Sequence, residues 1–233
     1  MKMLVFVARI FWTIAIPVFI ISSTVNIITT SMDLYRYDFA RYGISNVTHI
    51  SNVQLEDAAK MMIKYFNAQS DTPQVTVTKN GKPSPLYNNK ELIHLEDVRK
   101  ITDIFRVLQV VSIILLFACG LLLYFKDSVT SLITGLKNGA IIALGFTGIL
   151  VVWALIDFDS LFLAFHLMSF NNDLWLLDPR TDYLIMMFPE GFFNDAAVLL
   201  VTAILVEAGI ILTAAILIKN KLLGEMSGPV DSV

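Results

Sequence analysis

Four long apolar runs divide this chain, at residues 3–28, 104–125, 139–156 and 196–218. A helix rising about 1.5 Å per residue crosses hydrocarbon with about 20 apolar residues. Each run therefore predicts a transmembrane helix; the third is short but carries no charge. The only extended polar region is residues 31–103. Within it, "SNVQLEDAAKMMIKYFNAQ" repeats Leu55, Ala58, Ala59, Met62, Ile63 and Phe66 at helical spacing. Ser51 with Gln54 three residues later forms a capping-box pattern. "QVTVTKNGKP" then alternates before Asn80-Gly81, a strong hairpin-turn signal, and Pro83 and Pro85 confine the returning strand to an edge. The region reads as a small α+β cap of one helix and a short hairpin.

"NKELIHLEDVRKITDIF" follows without glycine or proline. Asn89 is its expected cap, and Glu91 in the first turn complements the macrodipole. The helix should run into the second apolar stretch, placing His94 roughly 15 Å before Ile104, with Arg99 and Lys100 snorkelling to headgroups. The expected fold is an α-helical integral membrane protein, a four-transmembrane-helix bundle with a small extracellular α+β cap. Its segments are helix 1 at 1–30, the cap at 31–103, helix 2 at 104–125 and a cytoplasmic loop at 126–138. Helix 3 at 139–156, an outer interfacial segment at 157–195, helix 4 at 196–218 and a cytoplasmic tail at 219–233 complete the chain. No internal repeat occurs, and only the tail "GEMSGPVDSV" is of soft composition.

Composition agrees with a membrane protein: 56% hydrophobic and 16% charged, against about 45–50% and about 25% in soluble domains. Charge sets the orientation. Lys2, Arg9, Lys126, Lys137, Lys219 and Lys221 fall on one side if the chain crosses four times, whereas residues 157–195 carry only Arg180. Both termini are then expected in the cytoplasm, with the cap and residues 157–195 outside. The first run is too long for a cleaved signal peptide and lacks an A-x-A-like site, so it reads as an uncleaved anchor. The single cysteine, Cys119, lies in the second run and offers no internal disulfide. A net charge of −3 without a basic cluster gives no sign of a nucleic-acid partner.

Candidate chemistry gathers on the outer side, where all three histidines lie. His49 sits in a polar loop, "SNVTHIS", and reads as solvated. His94 shares a helical face with Glu91 and Asp97. His166 is embedded among Phe162, Phe165, Leu167 and Phe170. Either of the last two could be an ordinary hydrogen-bonded interfacial side chain; convergence would make them a site. Metal is disfavoured, because Glu-x-x-His occurs once and H-E-x-x-H not at all. No G-x-S-x-G occurs for a serine hydrolase. In "DPRTD", Asp178-Pro179 forms a turn and Asp182 can cap a helix from Tyr183; either acid could also orient a histidine. Asn171 and Asn172 could form turns or donate to an oxyanion. Trp175, Phe188, Phe192 and Phe193 suit an interfacial aromatic belt. Glu207, deep in the fourth run, should face the bundle interior or a polar partner.

Two outer stretches, "NNKELIHLEDVRKI" and "LFLAFHLMSFNNDLWLLDPRTDYLIMMFPEGFF", together resemble the bacterial lipoprotein intramolecular transacylase family. "MDLYRYDFARYGIS" after the first run is similar to the same family, as is the four-span layout with a cap. The resemblance implies an enzyme without a cofactor, acting on diacylglyceryl-modified lipoproteins at the membrane lipid surface. It moves the sn-2 acyl chain to the α-amino group of the N-terminal cysteine, giving a lyso-form lipoprotein. The family's two catalytic histidines match His94 and His166. Substrate-binding candidates are Tyr35, Tyr37, Tyr42, Phe165, Phe170, Asn171, Asn172 and Trp175; orienting candidates are Glu91, Asp97 and Asp178. An α-amine of pKa about 8 must lose protons to attack an ester, and the departing alkoxide must gain one. Histidine serves both steps near neutrality. The competing reading is a non-enzymatic membrane sensor or accessory subunit, which composition and topology fit equally well.

Overall fold

The computed structural model describes residues 1–79 and 81–226. Its elements are α1 (Lys2–Thr29), α2 (Met32–Arg41), α3 (Ile44–Thr48), α4 (Asn52–Phe66), β1 (Thr76–Lys79), β2 (Lys82–Pro85), α5 (Asn89–Lys126), α6 (Val129–Ile156), α7 (Phe158–Ser169), α8 (Tyr183–Met187) and α9 (Glu190–Met226). Helices α1, α5, α6 and α9 are long and apolar enough to cross a membrane. The chain divides into two compact units. One contains residues 1–24, 107–152 and the described residues from 201 on; the other contains 25–106 and 153–200.

In the first unit, large apolar side chains such as Phe117, Phe125 and Ile149 are exposed, as a lipid-facing helix surface requires. Small residues set the inner contacts. Pro17 within α1 has no N–H for the Thr13 carbonyl four residues back. That carbonyl instead faces Gly139 of α6, where an added Cβ would lie 2.8 Å from it. Nearby, Gly135 lies against the Trp12 indole, whose Nε1–H donates to the Leu132 carbonyl at 3.0 Å. Ser22, Ser23 and Thr24 are buried yet satisfied, each hydroxyl donating to the carbonyl four residues earlier. The Glu207 carboxylate lies 3.5 Å from the Thr24 hydroxyl, a polar neighbour expected for an acid at that depth. Arg9 donates to both oxygens of Asp127 at 2.6 Å.

The second unit has a continuous core built from α2–α5, the hairpin, α8 and the start of α9. Its helical content exceeds the expected single helix. α2 begins at Ser31, whose side chain accepts from Leu34 N, and it buries Leu34, Tyr35, Asp38 and Phe39. An acid on the buried face interrupts the apolar period, which is why pattern alone did not reveal this helix. Gly43 at φ +59° and His49 at φ +55° bracket α3. In α4 the anticipated face packs inward, with Leu55, Ala58 and Ala59 fully buried. Only half of its capping box forms: Ser51 Oγ accepts from Gln54 N, while the Gln54 amide goes to the Thr78 hydroxyl. The hairpin pairs Val77 with Ser84 and Thr78 with Pro83. Gly81 has φ +77°; Asn80, the other turn residue, lies outside the described residues.

Three further expectations change. The cap of α5 is Asn88, not Asn89: Asn88 Oδ1 accepts from Glu91 N at 3.0 Å, and the Glu91 carboxylate accepts from Asn88 N at 2.7 Å. This reciprocal pair satisfies two otherwise orphaned donors. Arg99 does not snorkel; its guanidinium stacks 4.6 Å from the Tyr65 ring and donates to the Ser70 carbonyl. Phe188 and Phe192 are buried core residues, not an aromatic belt. They meet Tyr35 at 5.7 Å each, and Phe39 lies 5.8 Å from Phe188. The unforeseen helix α2 supplies their partner surface.

Candidate active site

His94 lies in the polar first part of α5, ahead of the apolar stretch that begins at Ile104, and belongs to the second unit. It is 8% exposed. Its Nδ1 is buried and has no hydrogen-bond partner among the described residues. His166, also 8% exposed, lies in the last turn of α7, a helix capped by the Asp157 carboxylate on Ser160 N. Its Nδ1 is 2.7 Å from the Phe162 carbonyl one turn back. A carbonyl only accepts, so Nδ1 carries the proton and Nε2 keeps its lone pair.

Aromatic rings set the surroundings. His166 has Phe162 at 4.2 Å, Trp175 at 4.8 Å and Phe165 at 5.4 Å between ring centroids. Phe170 touches both imidazoles, edge-on to His94 at 5.0 Å and 5.6 Å from His166. This apolar enclosure disfavours imidazolium. Burial, then the neighbouring His166, lowers His94 to about 4, with Asp97 opposing and Lys90 assisting. Burial likewise lowers His166, opposed by its bond to the Phe162 carbonyl. Burial thus favours the neutral form of both rings. A neutral imidazole in an apolar enclosure can take a proton from an attacking group and return it to a leaving one.

The orienting candidates bind elsewhere. Glu91, 1% exposed, accepts from Leu184 N at 2.6 Å and thereby caps α8 from another helix. Asp182 stands at the N-cap position of α8 without capping it; its carboxylate accepts from Asp178 N and the Asn88 amide. Asp97 accepts from Asn172 Nδ2 and Lys100. Asp178 pairs with Arg180, whose hydrogen bonds draw it down to about 2. No hydrogen bond joins Glu91, Asp97 or Asp178 to an imidazole among the described residues.

The tyrosines of the second unit hold its frame. Tyr35 is buried, its hydroxyl donating to the Thr29 carbonyl. The Tyr42 hydroxyl donates to Asp195 at 2.8 Å. Tyr37 is exposed and accepts from Arg41. No ring contact links these three to either histidine among the described residues. His49 is exposed at the end of α3. Asn171 is exposed, and no three His, Cys, Asp or Glu side chains converge among the described residues.

Sequence reasoning overlooked Lys90 and the Phe162 carbonyl. Each stands four residues before a histidine, one helical turn, which was the available signal.

The model of the lipoprotein intramolecular transacylase Lit family matches residues 10–193. The chain belongs to this family. It is thus a membrane-integral transacylase, and the sensor or accessory reading falls away. Among solved structures, the chain resembles the Lit transacylase of Bacillus cereus at 21% identity and TM-score 0.82, covering 96% of this chain and all of that one. A form of that protein with a histidine replaced by arginine matches at TM-score 0.76 and 20% identity, covering 96% of each chain. Another, with alanine in place of a histidine, matches at 0.76 and 21%, covering 95% of this chain and 97% of that one. No curated protein matches the chain. At such identities the structural likeness concerns the fold; the family assignment rests on the Lit model.

Proposed function

We propose that this Lit family member moves the sn-2 acyl chain of a diacylglyceryl lipoprotein to the α-amino group of that lipoprotein's N-terminal cysteine, with His94 and His166 as the acid–base pair. The amine nitrogen attacks the ester carbonyl, forming the C–N bond, and gives its proton to one neutral imidazole. The tetrahedral intermediate then breaks the C–O bond, and the glycerol oxygen takes a proton from an imidazolium. Donor and acceptor belong to one molecule, so the enzyme's task is to fold a flexible headgroup into a reactive ring. Phe165, Phe170 and Trp175 form the apolar wall that excludes hydrolytic water. Asn171, exposed beside this wall, is the candidate donor to the developing oxyanion. The carrying observation is two buried imidazoles that both contact one phenylalanine ring. In this reading both termini face the cytoplasm and the second unit meets lipoproteins in the outer leaflet of a bacterial cell membrane, as the Lys and Arg asymmetry favours.

The test is the intact lipid form of a reporter lipoprotein read by mass spectrometry. His94→Ala or His166→Ala should slow conversion to the lyso form by about 100-fold or more, with the protein still inserted and folded. His49→Ala should be nearly silent, and the double histidine variant little worse than either single one. Conversion at the native rate in both single variants would end the two-histidine mechanism.

A further inference from the structure

His94 lies between two side chains of α5 that reach the segment connecting α7 to α8. Lys90, one turn before it, donates to the Leu176 carbonyl. Asp97, one turn after it, accepts from Asn172 Nδ2 at 2.9 Å. The second Asp97 oxygen is held by Lys100 at 2.9 Å. The second polar atom of the Asn172 amide accepts from Leu174 N at 3.0 Å. A continuous chain of bonds thus runs from Lys100 through Asp97 and Asn172 into the backbone of the connecting segment. That segment carries Phe170, which touches both imidazoles, and Trp175, 4.8 Å from His166.

We propose that Asp97 and Asn172 form a clasp that holds residues 170–176 across His94, making both of them positioning residues for acyl transfer. The clasp acts through Phe170 and Trp175, not on the substrate. This rests on the reading of His94 and His166 as the acid–base pair. A charge-assisted bond to an amide combines strength with direction. Lys90 holds a carbonyl further along the segment and the Phe170 N–H donates to the His166 carbonyl at 2.9 Å; the clasp fixes the turn between these two anchors. Loss of the clasp lets the apolar wall retreat, and a displacement of about 1 Å at a reacting site costs about 100-fold in rate.

An exchange of the two groups tests the proposal. Asn172→Asp sets two carboxylates against each other and should lower kcat at least about tenfold, with KM and melting temperature little changed. Asp97→Asn alone keeps an amide–amide bond but loses the charge, and should lower kcat by less than Asn172→Asp does. Combining Asp97→Asn with Asn172→Asp restores an amide–carboxylate bond with reversed polarity and should recover most of kcat. An Asn172 that donated to the reacting oxygen could not be rescued this way, so a combination as slow as Asn172→Asp alone overturns the clasp.

A second measurement is independent of activity. The protein has three tryptophans; in a Trp12→Phe, Trp153→Phe background, excitation selective for tryptophan reads Trp175 alone. Imidazolium quenches indole, so acidification through the His166 titration should dim Trp175. Asn172→Asp should abolish that dimming and the combined exchange should restore it. Unchanged dimming in Asn172→Asp would overturn the clasp. Absence of lyso product from the unsubstituted protein would instead reject the acyl-transfer reading, and the fluorescence would still decide the clasp.

Discussion

Glu91→Gln separates two roles for an acid that neighbours His94 in sequence. Glu91 is almost fully buried and accepts two backbone N–H groups, from Asn88 at 2.7 Å and Leu184 at 2.6 Å. Its first bond closes the cap of α5; its second starts α8, whose own N-cap residue makes no side-chain capping bond. An amide keeps one acceptor oxygen and sets an NH2 against the other N–H. The loss is one charge-assisted hydrogen bond, about 1.5–3 kcal/mol, plus a buried donor left unmet, about 1–3 kcal/mol. Part is offset because a neutral amide is cheaper to bury than a carboxylate. The net destabilisation should be about 2 kcal/mol, a fall of about 5 °C in melting temperature for a chain of this size. Thermal unfolding in detergent reads the global effect. Hydrogen exchange at the Leu184 amide reads the local one and should lose protection first. His94→Ala, by contrast, should leave Leu184 protected. If Glu91→Gln leaves melting and Leu184 protection unchanged while acyl transfer collapses, Glu91 acts on His94 and the capping argument is wrong.

Gly191 packs against the Tyr42 ring, where an added Cβ would lie 2.5 Å from two ring carbons. Gly191→Ala should displace Tyr42 from Asp195 and cost about 1–3 kcal/mol, and Tyr42→Ala in the same chain should recover part of it, measured as a double-mutant cycle of melting temperatures. Asp38 is buried, neither of its oxygens meets a donor among the described residues, and a second carboxyl, Asp195, lies beside it. Burial first, then Asp195, raises Asp38 to about 7, with Arg41 opposing. A folded-state value above the unfolded one gives stabilisation that is complete below about pH 4 and lost as pH rises through about 7. Asp38→Asn should flatten the fall in melting temperature between about pH 4 and 7; an undiminished fall would assign it to another group. For topology, Ser70→Cys and Lys126→Cys in a Cys119→Ser background should react with an impermeant maleimide from outside and inside respectively, and the reverse pattern would relocate the proposed chemistry to the cytoplasm.

Much of this protein follows from one-dimensional pattern. Length and apolarity alone determine the four long helices, because hydrocarbon demands internally satisfied backbone over a set thickness. The inward face of α4 follows equally directly from a 3.6-residue period. The two histidine stretches were legible as motifs, and the resemblance they carry agrees with the family to which the chain belongs. Contacts between residues distant in sequence were not legible. Helix α2 escaped because Asp38 interrupts its buried face, and a buried acid makes sense only beside Asp195, 157 residues away. Phe188 and Phe192 read as a belt until α2 supplied Tyr35 and Phe39 to pack against. Glu91 and Asp97 looked able to orient His94 because i±3 spacing gives a shared face, though not a partner, and Asp178 was a turn residue that could also orient a histidine. Tertiary structure decided two of the partners, α8 for Glu91 and Asn172 for Asp97, while Asp178 takes Arg180 only two residues on. The physical reason is range. Periodicity and caps act within a turn or two of chain, whereas a carboxylate's bonding partner is whichever unsatisfied donor the folded core leaves within about 3 Å.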